Sequence, residues 1–162
     1  RGRTEIYTNA PKWLGQLVEE SVVWRGQVSC TMDLMDGDGE REEPKILVVE
    51  DDEDAREAMV ALLQMKGYRA VPAGNGREAL DYLDQAAAPD LIILDLWMPV
   101  MDGWHFRAEQ IRNPRLAHIP VIVVTALSDR ADVDANEIII KPVDVERLLT
   151  TVDHYCRREP TS

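Results

Sequence analysis

ILVVEDDEDAREAMVALLQMKG, residues 46–67, passes from a four-residue apolar run through a cluster of acids into a stretch with Ala55, Met59, Leu62 and Leu63 at helical spacing. An uninterrupted aliphatic run suits a strand buried on both faces, and the later spacing suits one face of a helix that Gly67 terminates. The same alternation then repeats to the end of the chain. Strands are expected near 45–50, 68–72, 90–95, 120–125 and 137–141. Asn75 caps a second helix carrying Ala79, Leu80 and Leu83, which ends in the Ala-rich turn before Pro89. Asp102 and Gly103 introduce a third, with Trp104, Ala108 and Ile111 on one face and Pro114 beyond its end. A final helix after Asp144 carries an apolar stripe of Val145, Leu148, Leu149, Val152 and Tyr155, and runs to about Arg158. Strand and helix in strict alternation predict an α/β domain with a parallel sheet and crossover helices.

One crossover is short. Twelve residues, 126–137, separate Thr125 from Ile138, and a crossover with its helix needs at least about ten to twelve. The fourth helix is therefore expected to be short or irregular. SDRADVDAN offers only Ala131, Val133 and Ala135 as inward-facing residues.

Four apolar runs end on residues suited to phosphate or a divalent cation: ILVV on Glu50 and Asp51, LIIL on Asp95, VIVV on Thr125, III on Lys141. In one parallel sheet the carboxyl ends of these strands share a rim. A carboxylate there can attack a phosphoryl group, provided that negative charge is neutralised and the geometry is in line. Mg²⁺, a hard ion that prefers oxygen, supplies the neutralisation. Glu50 and Asp51 are candidate metal ligands and Asp95 a further ligand and the nucleophile. Lys141 relieves the repulsion among carboxylates and holds a phosphoryl oxygen, and Thr125 offers its hydroxyl to another. A single Asp at a strand end is most often a helix cap; the five residues together carry the reading.

Composition limits the alternatives. The chain has 162 residues, 45% of them hydrophobic and 30% charged, which suits one well-cored domain with an appendage. A net charge of −12 repels a phosphate backbone and argues against nucleic-acid binding. Cys30 and Cys156 have no metal-ligand or disulfide spacing. No apolar stretch approaches the roughly 20 residues that span a bilayer, so no membrane association and a cytoplasmic location are expected. Residues 1–43 read as an amino-terminal extension, with Trp13, Leu14, Leu17 and Val18 on one face of a short helix and a strand at 22–28. MDLMDGDGEREE follows as an acidic linker; it lacks the central Gly and distal Glu of a calcium loop.

ILVVEDD at 46–52, LDLWMPVMDG at 94–103, PVIVVTA at 120–126 and KP at 141–142 together resemble the receiver domain of two-component response regulators. The likeness covers residues 44–158, leaving 159–162 as a tail. It implies a doubly wound, flavodoxin-like sheet of five parallel strands in the order 2-1-3-4-5. It also implies Asp95 as phosphoacceptor, Glu50 and Asp51 as the acidic metal pair, and Trp97 as the residue lending its backbone carbonyl to Mg²⁺. Thr125 becomes the switch hydroxyl and Lys141 the phosphate contact. The implied phosphoryl donor is a histidine kinase or phosphotransfer domain, with a downstream protein target and homodimer formation left open. The module is expected to be a stand-alone receiver or one excised from a longer signalling chain, and not a turnover enzyme.

Two positions depart from the pattern. Ile138 stands where many receivers carry a Tyr or Phe whose ring moves with the threonine, and segment 126–137 is short. Two rival readings follow from the same residues. A degenerate receiver would bind partners without phosphorylation. A phosphohydrolase would want an acid two residues after its nucleophile, where this chain has Trp97.

Overall fold

The computed structural model describes residues 43–126 and 133–156. Five strands, β1 (Lys45–Val49), β2 (Arg69–Ala73), β3 (Leu91–Leu94), β4 (Val121–Thr125) and β5 (Glu137–Ile140), form one sheet in the order β2-β1-β3-β4-β5. Every pairing is parallel, with Val49 opposite Leu94, Leu94 opposite Val123, and Thr125 opposite Ile140. The helices are α1 (Glu53–Met65), α2 (Gly76–Gln85), α3 (Gly103–Arg112) and α4 (Val145–Cys156). The doubly wound fold and strand order match the expectation, and each strand end lies within a residue or so of its expected place.

The three central strands are apolar on both faces because both are covered. Leu47, Val49, Ile92, Leu94, Val121 and Val123 point to one side, where Ala79 and Leu83 of α2 and Phe106 of α3 complete the core. Ile46, Val48, Leu91, Ile93, Ile122 and Val124 alternate with them and are equally buried. Helices α1 and α4 lie against the sheet as well, burying Leu62, Leu63, Leu148 and Val152.

Helix ends follow the local chemistry. Side chains of Asp52, Asn75 and Asp102 accept hydrogen bonds from the amides of Ala55, Glu78 and His105 at 2.8, 3.0 and 2.8 Å, satisfying donors that a first helical turn leaves open. Asp144 does the same for Arg147 at 3.0 Å. Gly67, at φ 84°, ends the turn after α1 in the left-handed region, where a Cβ would be strained.

The expected face of α3 holds at Trp104, which packs against the core, and fails at its other two residues. Ala108 and Ile111 are exposed, and the buried residues are Gly103, Phe106, Arg107 and Gln110. Polar residues occupy the inner face because groups outside the helix satisfy them. The Gln110 amide donates to the carbonyls of Leu116 and Ile119, both at 3.1 Å, and its oxygen accepts from Arg107 at 2.9 Å. Arg107 Nε donates in turn to the Asp134 carbonyl at 2.5 Å.

The stretch between β4 and β5 falls largely on residues 127–132, outside the described residues, so the expected short fourth helix and Ala131 lie there. Residues 133–136 are not helical, and Val133 and Ala135 pack against the core as expected. The helix and strand expected within residues 1–42, and the chain beyond Cys156, also lie outside the described residues. None of the described helices is long and apolar enough to cross a membrane.

Candidate functional site

Strands β1, β3 and β5 deliver their polar residues by the same device: the ladder continues one step past the last strand residue. The amides of Glu50, Asp95 and Lys141 donate to the carbonyls of Ala73, Val49 and Thr125 at 3.1, 2.9 and 2.8 Å. These residues are thus fixed at the sheet's carboxyl-terminal rim before their side chains make any contact.

The side chains then converge. Lys141 Nζ lies 3.0 and 2.9 Å from the two carboxylate oxygens of Glu50 and 2.8 Å from Asp95 Oδ2. Asp95 Oδ1 accepts from the amides of Leu96 at 2.6 Å and Trp97 at 3.3 Å, so both oxygens of this buried carboxylate are engaged. Asp51 is exposed, yet one oxygen each from Glu50, Asp51 and Asp95 come within 4.8 Å of one another. Three carboxylate oxygens so close, against one ammonium, form a cluster suited to a hard divalent cation. Thr125 is fully buried at the end of β4 and joins the site through its carbonyl bond to Lys141.

Burial dominates the electrostatics of Glu50. Desolvation lifts its carboxyl to about 7; the Lys141 hydrogen bond opposes the rise and the charge of Asp95 adds to it. For Lys141, burial works against the charged form, but the hydrogen bonds to Asp95 and Glu50 outweigh it and its pKa rises. Lys141 therefore stays cationic while Glu50 sits near the balance point between acid and carboxylate.

The loop after Asp95 is tightly built. Gly103 N–H donates to the Leu96 carbonyl at 3.0 Å, and a Cβ at Gly103 would fall 2.4 Å from the Asp95 carbonyl oxygen and 2.9 Å from Leu96 Cα. Only glycine permits that approach. Val100, between Pro99 and Met101, takes φ 69° with its side chain 83% exposed. Trp97 is 61% exposed and stands edge-on to Trp104, ring centroids 5.3 Å apart.

The structure thus brings together Glu50, Asp51, Asp95 and Lys141, with Trp97 joined by its amide and Thr125 by its main chain. The sequence reading missed Arg56, whose Nη1 donates to the carbonyls of Glu50 at 2.7 Å and Asp51 at 3.2 Å. The only signal in the sequence is an arginine on the first turns of the helix that follows the acidic pair. It also used Gly103 only as a helix start, although a glycine so soon after Asp95 marks a close backbone approach.

Residues 46–153 match the family described as response regulator receiver domain. A probable transcriptional regulator, ycf27, of Guillardia theta is 35% identical over 120 residues, which are 70% of this chain and 46% of the relative. The chain thus spans about half the length of the ycf27 proteins it matches. Among solved structures, the signal receiver domain of a signal transduction histidine kinase from Syntrophus aciditrophicus is 36% identical, with a TM-score of 0.65, over 74% of this chain and 97% of that one. The response regulator protein TrrA of Thermotoga maritima, solved in complex with Mg(2+)-BeF, is 32% identical with a TM-score of 0.63, over 69% of this chain and 98% of that one. The five-stranded order, the rim and the matched residues agree, and this chain belongs to the response regulator receiver domain family.

Proposed function

We propose that residues 44–158 accept a phosphoryl group on Asp95 from the phosphohistidine of a histidine kinase or phosphotransfer protein, and pass the signal to a downstream protein. The observation that carries this reading is Lys141 Nζ bridging Glu50 and Asp95 inside a cluster of three carboxylates. The donor set is entirely oxygen, which fits Mg²⁺. Glu50, Asp51, Asp95 and the Trp97 carbonyl would hold it. When bound, Mg²⁺ supplies neutralisation of the incoming phosphoryl charge.

Asp95 acts as nucleophile: its O–P bond forms as the donor's N–P bond breaks, and the departing imidazole takes up a proton. The amides of Leu96 and Trp97 hold the carboxylate in place for the attack, so little reorganisation is needed. Lys141 then contacts a phosphoryl oxygen, and the Thr125 hydroxyl turns toward another. Residues 1–43 serve as an appendage to this module.

The test is incubation with acetyl phosphate and Mg²⁺, followed by intact-mass measurement. The expected result is one hydroxylamine-labile phosphoryl group, absent from Asp95→Asn. No mass gain would instead favour a receiver that binds partners without phosphorylation. Sustained phosphate release from simple esters would favour a phosphohydrolase.

A further inference from the structure

We infer that Arg56 is a positioning residue for cation binding, acting on the acidic pair through its backbone. This inference rests on the proposed metal site and names a residue that governs it. Arg56 Nη1 donates to the carbonyls of both consecutive acids, Glu50 at 2.7 Å and Asp51 at 3.2 Å. These two residues lie between the end of β1 and the Asp52 cap of α1. The strand ladder holds the Glu50 amide, and the Asp52 cap fixes the start of the helix. Arg56 holds both carbonyls between these anchors. With the peptide planes set, the side chains of Glu50 and Asp51 leave the backbone in fixed directions, toward Asp95.

Gly74 lies beside the guanidinium. A Cβ built on Gly74 would lie 3.7 Å from Arg56 Nη1 and 3.2 Å from a Glu78 carboxylate oxygen. Glu78 is itself held by the Gly74 amide at 2.8 Å and by Asn75 Nδ2 at 2.9 Å. A Cβ at Gly74 would meet the guanidinium at ordinary van der Waals distance and crowd the Glu78 carboxylate instead. A guanidinium can give two hydrogens from one nitrogen to two carbonyls, which no neutral aliphatic side chain can replace.

Charge alone predicts the opposite effect. A cation near three carboxylates repels a metal ion, so removing its charge would tighten Mg²⁺ binding. A positioning role predicts weaker binding on removal, since partners that orient metal ligands are worth about 10–100-fold in affinity.

The experiment is calorimetric titration of Mg²⁺ into the full chain and its Arg56→Met and Arg56→Lys variants, with urea unfolding of each in metal-free buffer. Arg56→Met is expected to weaken Mg²⁺ binding about tenfold or more, while remaining folded at the titration temperature. Arg56→Lys, which keeps a donor on a flexible stem, is expected to recover part of that loss. The Mg²⁺ concentration giving half-maximal phosphorylation from acetyl phosphate should rise in step, with the maximal rate changing less. Unchanged or tighter binding in Arg56→Met overturns the inference, as does wild-type affinity in Arg56→Lys should the Met variant fail to fold. Failure of the unmodified chain to bind Mg²⁺ would instead overturn the metal site itself.

Discussion

Lys141 Nζ sits 2.8 Å from Asp95 Oδ2 although the two residues are 46 positions apart and come from strands separated in the sheet by β4. The same ammonium contacts both oxygens of Glu50. One cation therefore neutralises carboxylates delivered by β1 and β3.

Replacing Lys141 with Met leaves Glu50, Asp51 and Asp95 facing one another without that cation. The expected cost to metal-free stability is about 1–3 kcal/mol, with the partial exposure of Lys141 limiting it. Mg²⁺ should restore part of this stability. Urea unfolding with and without Mg²⁺ reads both effects, and no loss without metal would refute the bridging role.

Glu50 makes metal-free stability depend on pH with a definite sign. Its folded pKa, about 7, lies above the ordinary 4.5, so the folded state holds the proton more tightly. Its contribution is fully present below the unfolded pKa and is lost as pH rises through about 7. Unfolding midpoints at about pH 5 and about pH 8 should therefore differ less in Glu50→Gln than in the parent chain. Mg²⁺ must displace the same proton, so its affinity should climb across this interval. An unchanged pH dependence in Glu50→Gln would rule the assignment out.

Val100 occupies a backbone region that a β-branched residue enters at a cost of about 1–2 kcal/mol. Its exposed side chain contributes little burial to offset that cost. Val100→Gly should raise stability by about 0.5–1 kcal/mol, the gain being trimmed by glycine's greater freedom in the unfolded chain. A lower melting temperature would contradict the strain.

Gly103→Ala places a methyl carbon 2.4 Å from the Asp95 carbonyl oxygen. Backbone atoms cannot swing aside as a side chain can, so α3 must shift away from the loop. A loss of about 1–3 kcal/mol is expected, together with slower phosphorylation from acetyl phosphate. Wild-type values for both would show that the loop yields more easily than its packing indicates.

The central strands were legible because burial on both faces turns them into aliphatic runs, and the rim because each candidate residue stands at or just past the end of an apolar run. The inner face of α3 was not. Periodicity sends Arg107 and Gln110 to solvent, whereas the carbonyls of Leu116, Ile119 and Asp134 give them partners inside. Arg56 was illegible for a related reason: it recognises carbonyl groups, which every residue has and no sequence pattern marks. Val100 gave no warning because its backbone conformation runs against its own preference.

Trp97 lies two residues from Asp95 and stands edge-on to Trp104. An indole is both a fluorophore and a sensitive monitor of nearby charge, so the domain has an optical probe beside the Asp95 carboxylate. A change of charge at Asp95 is expected to register in unlabelled protein as a change in the emission of the Trp97 and Trp104 pair. The side chain that flanks this carboxylate thus makes the proposed phosphorylation observable in real time.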